Sequence, residues 1–153
     1  MKTIHLVFAL CFIVTTISAQ NINPAYDSVL AKSLGADELG MKTYVLVILK
    51  TGSAEIKDSA VRSQLFRGHF ANINKLSREG KMLTAGPIDS NEQQFRGIFL
   101  LNVTEVSEAT ELLKGDPTVE QKIFEPLYFL LYGSAAFQEI PEIHSKIQKM
   151  NLE

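Results

Sequence analysis

Three places in the chain carry residue types that could do chemistry. The first is His69. Val61, Leu65, His69, Ile73 and Leu76 recur at spacings of four, four, four and three residues, and Phe66 and Phe70 widen the stripe. That periodicity is one buried face of a helix. An imidazole on such a face needs partners for its ring nitrogens, because an unsatisfied buried polar group costs roughly 1–3 kcal/mol. A nearby carboxylate would orient the ring and favour its charged form, making it a general acid or base at a helix–sheet boundary. A core histidine bonded to a backbone carbonyl fits the same spacing. The second place is Asp116-Pro117. Asp before Pro is a helix start, in which the carboxylate caps free N–H groups. The same carboxylate could orient His69, and its two oxygens allow both roles. The third is Gly86-Pro87 with Asp89 and Ser90. A glycine ending a strand lets a ligand approach the backbone, or simply lets the chain turn into a loop.

The elements that must position these residues follow from local pattern. Residues 44–49 are six apolar residues rich in β-branched types, the mark of a strand buried on both faces. Asp58 or Ser59 can cap a long helix that Gly80 stops. A short strand over 81–85 leads into Gly86, and 96–103 forms a second strongly apolar strand. A helix begins at Glu105 or Ser107 and stops at Gly115, with one more helical turn after Asp116. A last strand spans 125–132. The order strand, helix, strand, strand, helix, strand is the split βαβ, or ferredoxin-like, α+β arrangement with an antiparallel sheet. Both helices would cover one face. The apolar central strands require cover on the other face too, and a second copy packed sheet to sheet supplies it, predicting a homodimer.

Composition narrows the class. Lys2, the apolar run at 4–17 and the small residues Ser18 and Ala19 form a secretory signal peptide, with an apolar stretch too short to span a bilayer. Cleavage would remove Lys2 and the one cysteine of the chain, Cys11. The exported protein would then have no disulfide framework, thiolate metal site or cysteine nucleophile. With a net charge of −2 and no basic tract it is a poor nucleic-acid binder. No histidine or carboxylate pair has metal-ligand spacing, and no cofactor is implied; His144 falls in a polar tail. The expected organisation is a signal peptide at 1–19, an N-terminal extension at 20–42, the folded domain at 43–133 and a C-terminal tail at 134–153. The protein would be secreted or periplasmic, with no membrane association after cleavage.

Arg67-Gly68-His69-Phe70, Leu76, Glu79-Gly80-Lys81, Leu83, Ala85-Gly86-Pro87 and Asp116-Pro117 together resemble the YCII-related (YciI-like) family. The resemblance implies a ferredoxin-like domain that dimerises into an α+β barrel. It also implies a cleft with a catalytic His–Asp pair: His69 with Asp116, or alternatively with Asp89. Gly86, Pro87 and Asp89 are the implied ligand-binding residues. Some relatives are lyase-type enzymes, one of them a dehydrochlorinase of a chlorinated aromatic diol. Three functions follow: a small-molecule acid–base enzyme using His69 and Asp116, a non-catalytic dimer that binds a small molecule, or a structural protein in which His69 is ordinary core.

Overall fold

The computed structural model describes residues 23–150. The expected signal peptide lies outside the described residues. In chain order the elements are α1 (Ser28–Ser33), β1 (Met41–Thr51), α2 (Ser59–Arg78), β2 (Met82–Pro87), β3 (Phe95–Leu101), α3 (Val106–Leu113), α4 (Pro117–Glu120), β4 (Phe124–Ser134), a 3-10 turn (Ala135–Glu139) and α5 (Ile140–Ile147). The four strands form one sheet in the order β2-β3-β1-β4, with every neighbour antiparallel. This is a ferredoxin-like α+β domain. The two strands expected to be central, β1 and β3, are central.

The main core follows from alternation along β1. Val45, Val47 and Leu49 face the helices and pack with Phe99 and Leu101 of β3, Leu76 of α2, and Ala109 and Leu113 of α3. Burial of these apolar side chains is the principal stabilising term. Asp58 caps α2 as expected, accepting from the Ala60 and Val61 N–H groups at 2.8 and 3.0 Å. The buried face of α2 is not quite the expected stripe. Val61 is exposed, whereas Asn72, three residues beyond His69, is buried. Val61 lies in the first turn of α2, and its neighbour Arg62 lines a cavity.

Two bulges interrupt the ladders of the sheet. The β2–β3 register skips Leu83, between the Met82–Leu101 and Thr84–Leu100 pairs. Leu83 packs in a second cluster, on the opposite face from Met82, as successive strand residues do. The β1–β3 register skips Arg96, between the Leu49–Gly97 and Lys50–Phe95 pairs.

The second sheet face is partly covered by the chain itself. Tyr44, Leu83 and Leu100 form a second buried cluster, with Leu131 and Phe137 packed on it. The Tyr44 hydroxyl donates to the Ser134 carbonyl at 3.0 Å. Residues after β4 therefore supply cover that the sequence did not reveal: Phe137, in the 3-10 turn, packs on this cluster. The rest of this face stays open: Leu46 and Phe129 are cross-strand partners there, and Phe129 is 48% exposed. Among the described residues no helix is long and apolar enough to cross a membrane. Phe137→Ala should lower stability by about 2 kcal/mol, less than a fully buried phenylalanine costs, as measured by urea denaturation.

Candidate functional site: a buried histidine–aspartate pair

Helices α2 and α4 meet closely enough to join two side chains that lie 47 residues apart. Gly68 permits the approach. A Cβ at that position would sit 2.6 Å from the ring of Pro117, closer than atoms can pack. Pro117 opens α4, and Asp116 is its N-cap. His69, next to Gly68, is 7% exposed, and Asp116 is fully buried.

Every oxygen of Asp116 is used. Oδ1 accepts from the Thr118 N–H at 2.9 Å and the Thr118 hydroxyl at 2.7 Å. Oδ2 lies 2.6 Å from His69 Nδ1. The capping and ring-orienting roles therefore coexist, as two carboxylate oxygens allow. The Thr118 hydroxyl proton is committed to Asp116, so its oxygen, 3.1 Å from Nδ1, is a second acceptor facing the ring. Nδ1 thus carries the proton, and Nε2 is the nitrogen left for chemistry. Among the described residues Nε2 has no hydrogen-bond partner.

Burial pushes the Asp116 carboxyl up. The hydrogen bond and charge of His69, with the two Thr118 donors, outweigh burial and hold its pKa below the ordinary 3.8. Asp116 is accordingly a carboxylate at neutral pH. The imidazole is otherwise walled by aromatic rings: Phe66 and Phe70 from α2, Phe99 from β3 and Phe124 from β4, with centroids 5.5–6.1 Å from its own. Phe66 and Phe124 also line a cavity of about 650 Å³ on their other side.

The remaining sequence-expected residues lie elsewhere. Gly86 and Pro87 are on the edge strand β2, and Asp89 is exposed beyond it. None of the three lines the cavity, and none is bonded to His69. The structure thus joins His69 to Asp116, not to Asp89. Two site residues escaped the sequence reading. Thr118 looked like an ordinary residue of a short helical turn, though its place two residues after an N-cap aspartate was a signal. Asn72 lies one helical turn from His69; its side-chain amide is buried beside Gly115, with Nδ2 unpartnered.

Residues 41–128 match the YCII-related domain, a span that includes every residue of this pair and its rings. The chain belongs to the YCII-related domain family. No curated protein matches it. Among solved structures it is similar to 5-chloro-2-hydroxyhydroquinone dehydrochlorinase (TftG) from Burkholderia phenoliruptrix AC1100, in complex with 2,5-dihydroxybenzoquinone. The identity is 14%, the TM-score 0.40, and the match covers 57% of this chain and 90% of that one. The YCII-related region begins with β1 and stops within β4, so α1, the 3-10 turn and α5 lie outside it.

A depressed folded-state pKa stabilises the fold above the unfolded value, and that stabilisation is lost as pH falls through the folded value. Asp37 and Glu142 are also held low, so the contribution of Asp116 is isolated by comparison with a variant. Asp116→Asn should cost about 2 kcal/mol at pH 7. The difference from wild type should shrink as pH falls below 3.8, as measured by denaturant unfolding across pH. Gly68→Ala should cost a further 1–3 kcal/mol, about the range for overpacking, by forcing α2 off Pro117.

Proposed function

We propose that this YCII-related protein is an exported, lyase-type enzyme that moves a proton on a small, ring-containing molecule. The observation that carries this reading is the 2.6 Å contact between His69 Nδ1 and a buried carboxylate. With Nδ1–H held by Asp116, the Nε2 lone pair is oriented to accept a proton from a carbon or hydroxyl of the substrate. The imidazolium so formed is stabilised by the Asp116 carboxylate. In an elimination, the electron pair of the broken C–H bond forms a double bond, the leaving group departs with the electrons of its own bond, and His69 gives the proton to that leaving group. Acid–base help of this kind contributes on the order of 10²–10⁴ in rate. The residues present call for no metal or cofactor in this step. The apolar run at 4–17 supports export to a secreted or periplasmic location.

A non-catalytic binding role is favoured by one observation: His69 does not line the cavity, because Phe66 and Phe124 stand between them. In that reading the pair holds the rings in place and the cavity holds the ligand.

The working unit in both readings is a homodimer. Support comes from the open part of the second sheet face, where Leu46 and Ile48 lie beside Phe129 and Leu127 with no cover from the C-terminal segment. A second copy, packed on the same strip through a two-fold axis, would bury it.

Two measurements test these statements. Cyclic and aromatic hydroxy compounds that raise the melting temperature of residues 20–153 are followed for turnover by NMR. His69→Gln should reduce turnover at least 10²-fold; full activity in that variant overturns the catalytic role, and stabilising ligands without turnover favour binding alone. In sedimentation, Phe129→Glu should convert a dimer to a monomer, and a wild type that sediments as a monomer removes the dimer.

A further inference from the structure

The cavity beside the histidine has a composition that the proton-transfer reading does not use. Its lining includes Arg62, Arg96 and Lys57, with one acidic residue, Glu55. Neither arginine is ion-paired with a carboxylate among the described residues. Two cationic side chains without counter-charges, sharing a cavity with two phenylalanines, form a surface for an anion attached to an apolar ring.

The fold builds this arrangement rather than leaving it to chance. Arg96 is the bulged residue of β3, and a bulge re-aims one side chain out of the strand's alternation. Its Nε donates to Thr51 Oγ1 at 2.7 Å, which anchors the guanidinium and leaves its two terminal nitrogens uncommitted. Thr51 is itself held by the Gln94 carbonyl, at 3.0 Å from its N–H and 3.3 Å from its hydroxyl. Arg62 lies over the Phe66 ring, 5.7 Å from its centroid. The opposite wall is fixed by Gly52 and Ala54, whose N–H groups donate to the Ile123 and Lys122 carbonyls at 2.8 and 3.0 Å. Gln94 and Lys122 have φ of 59° and 55°, the left-handed region that residues other than glycine seldom enter. These are the only two such residues other than glycine in the described chain, and both serve as backbone anchors of this cavity's walls. Local strain of this kind gathers at ligand sites.

We propose that this cavity is a carboxylate-recognition subsite: Arg62 and Arg96 clamp the carboxylate of an aromatic or cyclic acid, whose ring lies on Phe66 and Phe124. The inference rests on the small-molecule-binding reading, in which the cavity holds the ligand, and names the class of that ligand, an organic acid. Phe66 and Phe124 are shared walls, with centroids 6.1 and 5.6 Å from the imidazole, so a ring on them is separated from His69 by a single aromatic side chain. The volume, about 650 Å³, is within the range of small-molecule sites, roughly 300–1,000 Å³.

Benzoate is the probe, with benzamide as its neutral match, in calorimetric titration of residues 20–153 and in amide NMR shifts. Benzoate should bind at least about tenfold more tightly than benzamide, the worth of one charge-assisted pair. Its affinity should weaken as salt is raised, with shifts centred on residues 51–57, 94–96 and 122–124. Arg96→Gln and Arg62→Gln should each weaken benzoate about tenfold and leave benzamide unaffected. Arg96→Lys, which keeps the charge but cannot form the fork, should fall between, and Lys146→Gln on α5 should bind as wild type does. Melting curves identify any variant that fails to fold, and Arg96→Lys then carries the test. Equal binding of the two probes, unchanged benzoate affinity in folded arginine variants, or shifts elsewhere would overturn the proposal. Arginine-dependent benzoate binding upholds the subsite even if His69→Gln leaves turnover intact, so the two readings fail separately.

Discussion

The hydrogen bond from His69 Nδ1 to Asp116 is the contact on which the site depends. It draws a polar ring and a carboxylate into an aromatic interior, where either alone would be strongly unfavourable. The pair is tolerated because Asp116 is saturated: one oxygen holds the ring and the other caps α4 through Thr118. The consequence is orientation. With Nδ1 committed, Nε2 is the one ring nitrogen whose state can change, and it sits among Phe66, Phe70, Phe99 and Phe124. Exchange of the Asp116 charge for a neutral amide would therefore disturb a helix cap, a tautomer and the junction of two helices together.

The sheet contributes geometry that its apolar residues do not announce. β1 carries the core on one face, and its neighbours deliver Phe99 and Phe124 to the histidine. The bulges at Leu83 and Arg96 interrupt the ladder, and each leaves one residue of its strand without a cross-strand partner. Leu83 closes the second cluster under Phe137, whereas Arg96 turns to the cavity.

The pattern of elements was legible because it rests on short-range signals. Asp58, Gly80 and Asp116-Pro117 mark helix ends through their own backbone and side-chain chemistry, and the apolar runs of β1 and β3 mark central strands. His69 stood out as the one non-hydrocarbon of an apolar stripe. Val61 misled because periodicity continues to the helix end whether or not a sheet lies beneath it. Asn72 was passed over because nothing local distinguishes a polar residue that ends up buried from one that faces water, and Thr118 because its one local signal, its place after the Asp116 cap, marks a helix start and not burial. The self-cover by Phe137 was hidden for a similar reason: the polar segment around it reads as a tail.

By itself the sequence determined the order of strands and helices, the family, and the presence of a histidine that burial would force to find a partner. The elements and the histidine are read from residues within one or two turns of each other, and the family from short motifs spread between Arg67 and Pro117. Tertiary structure decided that the partner is Asp116 and not Asp89, that Gly86 and Pro87 lie on an edge strand away from the pair, and that Arg62 and Arg96 share a cavity. These are contacts between segments tens of residues apart. Their existence depends on bulges, helix crossings and the small volume of Gly68, which fix distances that no local pattern encodes.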